Sequence, residues 1–291
     1  MTIVRSPSFS LFLFALASCS STIETKPEKP NQPATSPIRA EQYPGNTSPT
    51  PVEGIIPVIT NRHPLQLKTA PIAGTTLNYL SFDSRDYTLE VVDQPDLGST
   101  YQSAAQVTKA KGALASINGG FFTPEGTPLG VLFTNGNQVG TLNTSSSLGS
   151  GVLYVDQNAI QPVIARRTIF QKWLNDSTFT PKEVLQSGPF LVENGSVVSG
   201  LSNKESRIRS LLLWDGNNHF AIAQCDPITL RNLGRALAKQ PLPDFQIQDV
   251  LNLDGGRSAD FNVTSKVSGG PLNLRRWWNK PIRNYLILKP Q

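Results

Sequence analysis

The sequence is poor in the residues from which many enzyme sites are built. Only two of its 291 residues are cysteines and only two are histidines, His63 and His219. Neither histidine lies in a glycine-rich segment, so a Ser-His-Asp triad or a histidine-built zinc site is hard to assemble. The phosphate-loop and dinucleotide-binding patterns are also missing. We therefore expect a site without a metal or a cofactor.

Charge is sparse as well. Charged residues make up 16% of the chain, and the formal net charge is +5. This mild basicity slightly favours an anionic ligand or surface, but it lacks the clustered basic stripes of nucleic-acid-binding proteins. We expect no nucleic-acid partner.

The amino terminus has the pattern of an export signal. Arg5 precedes an apolar run over residues 9–16, which is too short to span a bilayer because a spanning helix needs about 20 residues. Leu16-Ala17-Ser18-Cys19 then resembles the lipobox of bacterial lipoproteins, whose cysteine is acylated. We predict a signal peptide over residues 1–18 and a lipid on Cys19. The lipid would anchor the exported protein to a bacterial membrane, facing the periplasm or the exterior. In the alternative, an ordinary signal peptide is cleaved nearby and Cys19 is incidental.

Residues 19–54 form a Pro-rich segment with few apolar side chains. Such a segment cannot bury enough surface to offset the entropy of ordering, so a disordered linker is predicted. Residues 55–291 read as a single globular domain, and no further stretch is long and apolar enough for a transmembrane helix. If Cys19 carries a lipid, Cys225 has no disulfide partner and is expected to be a buried small hydrophobe.

Alternation of apolar and polar residues predicts more strand than helix in this domain. Strands are expected at residues 77–82, 87–92, 130–134, 137–139, 211–214, 220–223 and 250–253. A short helix is expected from Ser103 to Lys109, and a second after Asp226-Pro227 with Leu230, Leu233 and Leu237 on one face. The second helix would cross over to a last buried strand. The predicted class is α+β, or mixed α/β, with a mixed sheet as its core.

Four segments interrupt their strands with glycine, proline or charge, as functional loops often do. They are Ala115-Ser116-Ile117-Asn118-Gly119-Gly120-Phe121-Phe122, Gln186-Ser187-Gly188-Pro189-Phe190-Leu191-Val192, Arg207-Ile208-Arg209-Ser210 and Asn252-Leu253-Asp254-Gly255-Gly256-Arg257-Ser258. Paired glycines let backbone amides approach an anion, and an arginine that opens a strand can bind a phosphate. Each segment also has a purely structural interpretation, as a tight turn or a solvated charge.

In this order, the four segments resemble the motifs of the phosphodiester glycosidase family. Its members carry an Asn-Gly-Gly-Phe-Phe segment, a Gln-Ser-Gly-Pro segment, an arginine-containing strand and a Leu-Asp-Gly-Gly-Gly-Ser segment. The likeness extends over about residues 77–288. One animal member removes N-acetylglucosamine from a phosphodiester-linked mannose. The resemblance implies hydrolysis of a sugar-1-phosphodiester.

The resemblance also implies roles for individual residues. Arg209 would bind phosphate, Asp254 would face the anomeric carbon or polarise a water molecule, and Asn118 would hydrogen-bond sugar or phosphate. The expected substrate-binding residues are Gly119, Gly120, Gln186, Ser187, Gly188, Gly255, Gly256, Arg257 and Ser258. The amides of Gly119, Gly120 and Gly255 would assist with the phosphate. A second catalytic carboxylate is not evident, and Glu193 and Asp260 lie near the motifs without an assigned role.

Three positions depart from the family pattern. Arg257 stands at the third glycine of the last motif, Ser210 replaces a threonine, and Leu213 stands where a glycine is usual. Arg257 would either block the pocket or add a second contact to an anion. Near the end of the chain, Arg275-Arg276-Trp277-Trp278 is interpreted as a rim with two partly buried tryptophans. Sugar stacking or contact with a membrane surface are its alternatives.

Two functions remain open from the sequence. In the first, the protein is an extracytoplasmic hydrolase that acts on a sugar-phosphate linkage in a glycan, wall polymer or glycolipid. In the second, the scaffold has lost turnover and the lipoprotein only binds glycan or polysaccharide, and Arg257 is the feature that favours it. Both predict a carbohydrate or sugar-phosphate ligand and a membrane contact through the lipid.

Overall fold

Short strands dominate the part of the chain that the computed structural model describes, residues 63–159 and 161–291. These residues form seventeen strands in three sheets and three α-helices. The strand-rich composition confirms the predicted α+β class. The predicted signal peptide, the lipid site Cys19, the linker over residues 19–54 and residues 55–62 lie outside the described residues.

The strands, in chain order, are β1 (Gln66–Ile72), β2 (Thr75–Asp83), β3 (Tyr87–Asp93), β4 (Ala115–Asn118), β5 (Leu132–Thr134), β6 (Asn137–Val139), β7 (Gly151–Asp156), β8 (Val163–Arg166), β9 (Pro181–Ser187), β10 (Phe190–Glu193), β11 (Ser196–Val197), β12 (Arg207–Trp214), β13 (His219–Ile228), β14 (Asp249–Asn252), β15 (Phe261–Val263), β16 (Leu272–Asn273) and β17 (Asn284–Pro290). The helices are α1 (Ala104–Lys111), α2 (Arg167–Leu174) and α3 (Leu230–Leu237), with short 3₁₀ turns at Ser147–Gly149 and Gly256–Ser258.

Antiparallel pairing organises all three sheets. The seven-stranded sheet has the order β1-β2-β13-β12-β14-β10-β11, and the two five-stranded sheets have the orders β16-β15-β4-β17-β3 and β6-β5-β9-β7-β8. The predicted strands at residues 77–82 and 87–92 are confirmed as β2 and β3, but they lie in different sheets. The predicted Asn135-Gly136 hairpin is confirmed between β5 and β6, where both turn residues have positive φ.

The central strand β12 explains the crossover expected from the sequence. β13 and β14 flank β12, and both run antiparallel to it, so they are parallel to each other and need a crossover connection. Helix α3 supplies that connection. The predicted Asp226-Pro227 start is wrong, because β13 extends to Ile228 and the Thr229 side chain caps the helix by accepting from the Asn232 amide.

Helices α1 and α2 show what a local pattern does and does not reveal. The predicted helix from Ser103 is confirmed as α1, with Ser103 as its N-cap and Gly112 in the left-handed conformation after its last turn. The sequence does not predict α2, whose N-cap Arg166 makes no side-chain cap hydrogen bond.

The core lies on both faces of the seven-stranded sheet. On β12, Leu212 packs into a cluster shared with the other two sheets, whereas Leu211 and Leu213 face the cluster that holds Leu233 and Leu237 of α3. Burial on both faces accounts for the uninterrupted leucines of β12. Each fully buried leucine stabilises the fold by about 2 kcal/mol relative to an exposed one.

Cys225 lies in this core, on β13. Its side chain is 1% exposed and unpaired, and burial raises the pKa of the thiol to about 12. The interpretation of Cys225 as a buried small hydrophobe is confirmed. Among the described residues, none of the helices combines the length and the hydropathy needed to cross a membrane.

Candidate functional site

The four segments singled out in the sequence meet where the ends of β4, β9 and β14 adjoin the start of β12. Three backbone hydrogen bonds join the fourth segment to the others: the Asp254 amide donates to the Gly119 carbonyl (3.0 Å), the Leu253 amide to the Ser210 carbonyl (2.9 Å), and the Asn252 amide to the Pro189 carbonyl (3.0 Å). Segments far apart in the chain therefore form one rigid assembly.

The glycines permit this close approach of backbones. A Cβ atom would lie 2.7 Å from the Gln186 carbonyl oxygen if added to Gly120, 2.6 Å from that of Ile208 if added to Gly255, and 2.2 Å from that of Ser147 if added to Gly188. Carbon and oxygen do not pack at such distances, so each position requires glycine.

The amides of these glycines are occupied by the protein itself. Asn284 accepts from Gly119 through its carbonyl (2.9 Å) and from Gly120 through its side-chain Oδ1 (2.7 Å). The Gly255 amide donates to the Asp254 carboxylate at 2.8 Å. The expectation that these amides bind phosphate is thus corrected, because each already has a partner.

Asn118 lies beneath the pocket and not in it. Its side chain is fully buried, and its Oδ1 accepts from the Ser210 hydroxyl (2.6 Å) and the Asp260 amide (3.1 Å). Its Nδ2 donates to the Asp254 carbonyl at 2.6 Å. The predicted contact of Asn118 with sugar or phosphate is therefore corrected. Asn118 is a positioning residue that fixes the backbone of Asp254.

The second segment has a similar supporting role. Gln186 is buried, and its amide group makes four hydrogen bonds to neighbouring backbone groups. Ser187 donates to the Asn252 carbonyl (3.0 Å), and the Gly188 carbonyl accepts from the Asn252 side chain (3.0 Å). Of this segment, Pro189 lines the pocket. Gln186, Ser187 and Gly188 shape the wall behind it and are corrected as ligand contacts.

The pocket itself has a volume of about 260 Å³ and combines polar with apolar walls. It is lined by Phe121, Leu148, Pro189, Ser202, Glu205, Arg207, Arg209, Leu230, Asn252, Asp254 and Gly255. The structure thus brings Arg209, Asp254 and Gly255 together, as the sequence predicts.

Arg209 is a buried cation in this pocket. It is 8% exposed, and it donates through Nε to the Ile228 carbonyl (3.1 Å) and through Nη2 to the Glu205 carbonyl (2.8 Å). Among the described residues, no carboxylate oxygen lies within 4.0 Å of its guanidinium. Burial lowers the pKa of Arg209, but an arginine keeps its charge in proteins. A buried charge without a carboxylate in direct contact is costly, so Arg209 favours an anion beside it in this pocket.

Two further charged residues line the pocket that the sequence does not predict as site residues. Arg207 and Glu205 form an ion pair with Nη2 to Oε2 at 2.8 Å, and both are more than half exposed. The signal for Arg207 is its position two residues before Arg209 on the same strand, where side chains share a face. Glu205 is a second carboxylate in the pocket, and its loop position offers no comparable signal.

The carboxyl group of Asp254 has a raised pKa. Burial raises its pKa to about 6, although the Ser258 side chain, the Gly255 amide and the charge of Arg207 all favour the ionised form. A carboxyl group that titrates near neutrality is suited to proton transfer. The Ser258 side chain thus hydrogen-bonds to the Asp254 carboxylate and does not line the pocket that holds the two arginines.

The predicted role of Arg257 is corrected. Its side chain is exposed, does not line the pocket, and donates from Nε to the Trp278 carbonyl at 3.3 Å. It therefore neither blocks the pocket nor contacts an anion there. Gly256, with φ of +60°, turns the chain just before Arg257 and does not line the pocket either.

The two acids left unassigned lie outside this pocket. Glu193 pairs with Arg166 at 2.6 Å. Asp260 is fully buried, accepts from the Ala104 amide (2.9 Å) and pairs with Arg275 (2.8 Å). Both are structural ion pairs.

One group of side chains among the described residues could supply ligands to a metal. The donor atoms of His63, Asp83 and Asp86 lie within 4.8 Å of one another. Arg85 already donates to both oxygens of Asp83, through Nε to Oδ1 (2.9 Å) and through Nη2 to Oδ2 (2.5 Å). None of these residues lines the pocket, so this group is separate from the site described above.

A buried arginine, a second arginine and a carboxyl group of raised pKa form a candidate anion-binding site with an ionisable acid beside it. The family model described as phosphodiester glycosidase matches residues 111–289, which include these residues and more than half of the chain. The chain belongs to the phosphodiester glycosidase family.

Solved structures share the fold. The catalytic domain of zebrafish N-acetylglucosamine-1-phosphodiester alpha-N-acetylglucosaminidase, auto-inhibited by its pro-peptide, is similar with a TM-score of 0.56 and 14% identity over 80% of this chain and 85% of that chain. A hypothetical protein from Synechocystis is similar with a TM-score of 0.50 and 14% identity over 78% of this chain and 62% of that chain. A search of curated proteins finds no significant match.

Proposed function

We propose that this protein hydrolyses a sugar-1-phosphodiester linkage in a glycan, wall polymer or glycolipid outside the cytoplasm. The observation that carries the proposal is the juxtaposition of Arg209, a buried cation without a carboxylate partner, and Asp254 in one pocket. A sugar-1-phosphodiester joins its charged phosphate to the anomeric carbon through a single oxygen, so it requires both functions side by side.

The chemistry follows from the leaving group. A water oxygen bonds to the anomeric carbon, the bond from that carbon to the phosphate oxygen breaks, and its electron pair leaves with the phosphate monoester. This leaving group is much less basic than an alkoxide, so neutralising its charge matters more than protonating it. Arg209 and Arg207 neutralise the charge by charge-assisted contact. The Asp254 carboxylate stabilises the oxocarbenium-like transition state or accepts the proton of the attacking water.

Isotope labelling tests the proposal directly. The chain is incubated in H₂¹⁸O with synthetic sugar-1-phosphodiesters, beginning with N-acetylglucosamine, the sugar in the name of the zebrafish relative. We expect ¹⁸O on the anomeric hydroxyl of the released sugar, because the bond broken is carbon to oxygen. Label in the phosphate would identify a phosphodiesterase and contradict the proposal. Binding without release of sugar would favour the non-catalytic alternative, but Arg257, the feature that favoured it, does not line the pocket.

The extracytoplasmic location is a separate part of the proposal and rests on Leu16-Ala17-Ser18-Cys19. We expect a bacterial host fed an alkyne-tagged fatty acid to label the wild-type chain in its membrane fraction. Cys19→Ser should abolish the label and release the protein from the membrane. An unmodified amino terminus downstream of Cys19, found by mass spectrometry, would rule out the lipid anchor and leave the assignment of the domain unchanged.

A further inference from the structure

The loop after β16 carries an unusually exposed aromatic pair. Trp277 is 91% exposed and Trp278 is 39% exposed, and their rings meet edge to face with centroids 5.4 Å apart. The sequence-based interpretation of two partly buried tryptophans is therefore wrong for Trp277. Exposing so large an apolar side chain is unfavourable, and it is typical of a binding surface. We call residues 275–280 the tryptophan loop.

The tryptophan loop is fixed to the segment that follows Asp254. The Asn279 side chain donates to the Ala259 carbonyl (2.6 Å), and the Lys280 amide donates to the Arg257 carbonyl (2.9 Å). Arg257 in turn donates to the Trp278 carbonyl (3.3 Å). Both tryptophans thus have a defined position relative to Asp254.

A second pocket lies between Asp254 and the tryptophan loop. It has a volume of about 260 Å³ and is lined by Leu97, Phe122, Thr123, Pro124, Asp254, Ser258, Lys280 and Pro281. Asp254 is common to both pockets, and Lys280 belongs to both the second pocket and the tryptophan loop. The pocket that holds Arg209 therefore adjoins the second pocket at Asp254, and the second pocket adjoins the tryptophan loop at Lys280.

Arg257 and the tryptophan loop carry four cationic side chains, Arg257, Arg275, Arg276 and Lys280, and within the described part of the chain two of these are uncompensated. Arg275 pairs with Asp260 and Arg276 with Asp226. In contrast, Arg257 and Lys280 have no carboxylate within 4.0 Å among residues 63–159 and 161–291. An exposed aromatic ring suits the apolar face of a sugar, and the two cations suit phosphates. A chain of alternating sugars and phosphates would match both.

We propose that the substrate is an extended anionic glycan. Its sugar-phosphate chain would continue from the scissile linkage at Asp254 through the second pocket and across Trp277, Arg257 and Lys280. This inference rests on the proposed function and adds the substrate class: a polymer with repeated phosphodiesters, in preference to a small glycolipid headgroup. A membrane surface as the partner of the tryptophans is an outcome that the experiment distinguishes.

The test compares two substrates with the same scissile linkage. One is a sugar-1-phosphodiester with a methyl aglycone, and the other is an oligomer of about five sugar-phosphate repeats. We expect the wild-type chain to have a KM about tenfold lower for the oligomer. Trp277→Ala should remove that advantage and leave kcat, and the KM of the methyl substrate, unchanged. Ile169→Ala is the matched control, since Ile169 is an exposed apolar residue on α2 (43% exposed) that lines neither pocket.

The outcomes separate this inference from the proposed function. Equal KM values of the wild-type chain for both substrates, or an unchanged oligomer advantage in Trp277→Ala, overturn the inference and leave the hydrolase. If neither substrate is cleaved, the proposed function fails. Because the chain has four tryptophans, quenching of their fluorescence by the oligomer is then compared between the wild-type chain and Trp277→Ala, and loss of the quenching in the variant shows binding at Trp277. If Trp277→Ala instead weakens sedimentation with phosphatidylglycerol vesicles and leaves the KM ratio intact, the loop contacts membrane and the inference is overturned.

Discussion

Asp254→Asn is expected to lower kcat at least about 1000-fold, because the amide can neither accept a proton nor stabilise a positive anomeric carbon as a carboxylate does. Asparagine has nearly the same shape as aspartate. It keeps an oxygen that can accept from the Gly255 amide, which in the wild-type protein donates to the Asp254 carboxylate at 2.8 Å. The loop should therefore hold its position. Release of free sugar from the phosphodiester measures the effect.

The pKa of Asp254 gives this prediction a pH dependence. The active form is the carboxylate, so wild-type activity should rise with pH through about 6, the value to which burial raises the pKa. The same shift acts on stability with a defined sign. The folded-state pKa lies above the ordinary value of 3.8, so ionisation favours the unfolded chain and stability is lost as pH rises through about 6. Asp254→Asn should thus be at least as stable as the wild-type protein at about pH 8, and any advantage should vanish below about pH 4.

Asp249→Asn is the matched control for Asp254→Asn. Asp249 lies at the other end of β14, burial raises its pKa as well, and its carboxylate accepts from the Asn194 amide at 3.2 Å. It does not line the pocket. Activity should therefore survive in Asp249→Asn. Full turnover in Asp254→Asn, or equal losses in both variants, would contradict the assignment of Asp254 to the chemistry.

Arg209→Met should lower kcat/KM by about 100- to 1000-fold, because the developing charge of the phosphate loses its buried cation. The inhibition constant of inorganic phosphate, a competitive inhibitor, should rise in parallel. Arg209→Lys keeps the charge but loses the two-armed guanidinium, so its activity should fall between those of the wild-type protein and Arg209→Met. The inhibition constant for phosphate is the second measurement.

Folding must be separated from binding in Arg209→Met, since this variant leaves the Ile228 and Glu205 carbonyls without their donor. A loss of about 1–3 kcal/mol in the free energy of unfolding is expected from that cause alone. Arg231→Met supplies the comparison, because the Arg231 Nε also donates to a backbone carbonyl, that of Leu201 at 3.1 Å, but does not line the pocket. If both variants lost activity equally, the effect would be structural and Arg209 would not be a phosphate ligand.

The sequence predicts which segments form the pocket better than it predicts the role of each side chain and backbone amide in it. Asp254 and Arg209 share the pocket because strand ends carry them there, and strands are visible as local patterns. The partner of the Gly119 and Gly120 amides is Asn284, more than 160 residues away. No local pattern reveals such a contact, so the amides look available to a ligand when they are not.

The direction in which a side chain points is the second property of the site that the sequence does not predict. Arg257 is predicted from the sequence as a substrate-binding residue, whereas Arg207 is not, although both lie in the singled-out segments. The 3₁₀ turn at Gly256–Ser258 directs Arg257 toward Trp278, whereas β12 directs Arg207 into the pocket. Such directions depend on φ angles and on a β-bulge between Arg207 and Arg209, which are set by tertiary packing.

The unpaired thiol of Cys225 has a consequence for where the folded domain can persist. A thiol with a pKa of about 12 and 1% exposure offers almost no thiolate for oxidation or exchange. The folded domain is therefore indifferent to the redox poise of its surroundings. Once folded, it should keep its structure in an oxidising and in a reducing medium alike, because no disulfide is present among residues 63–159 and 161–291.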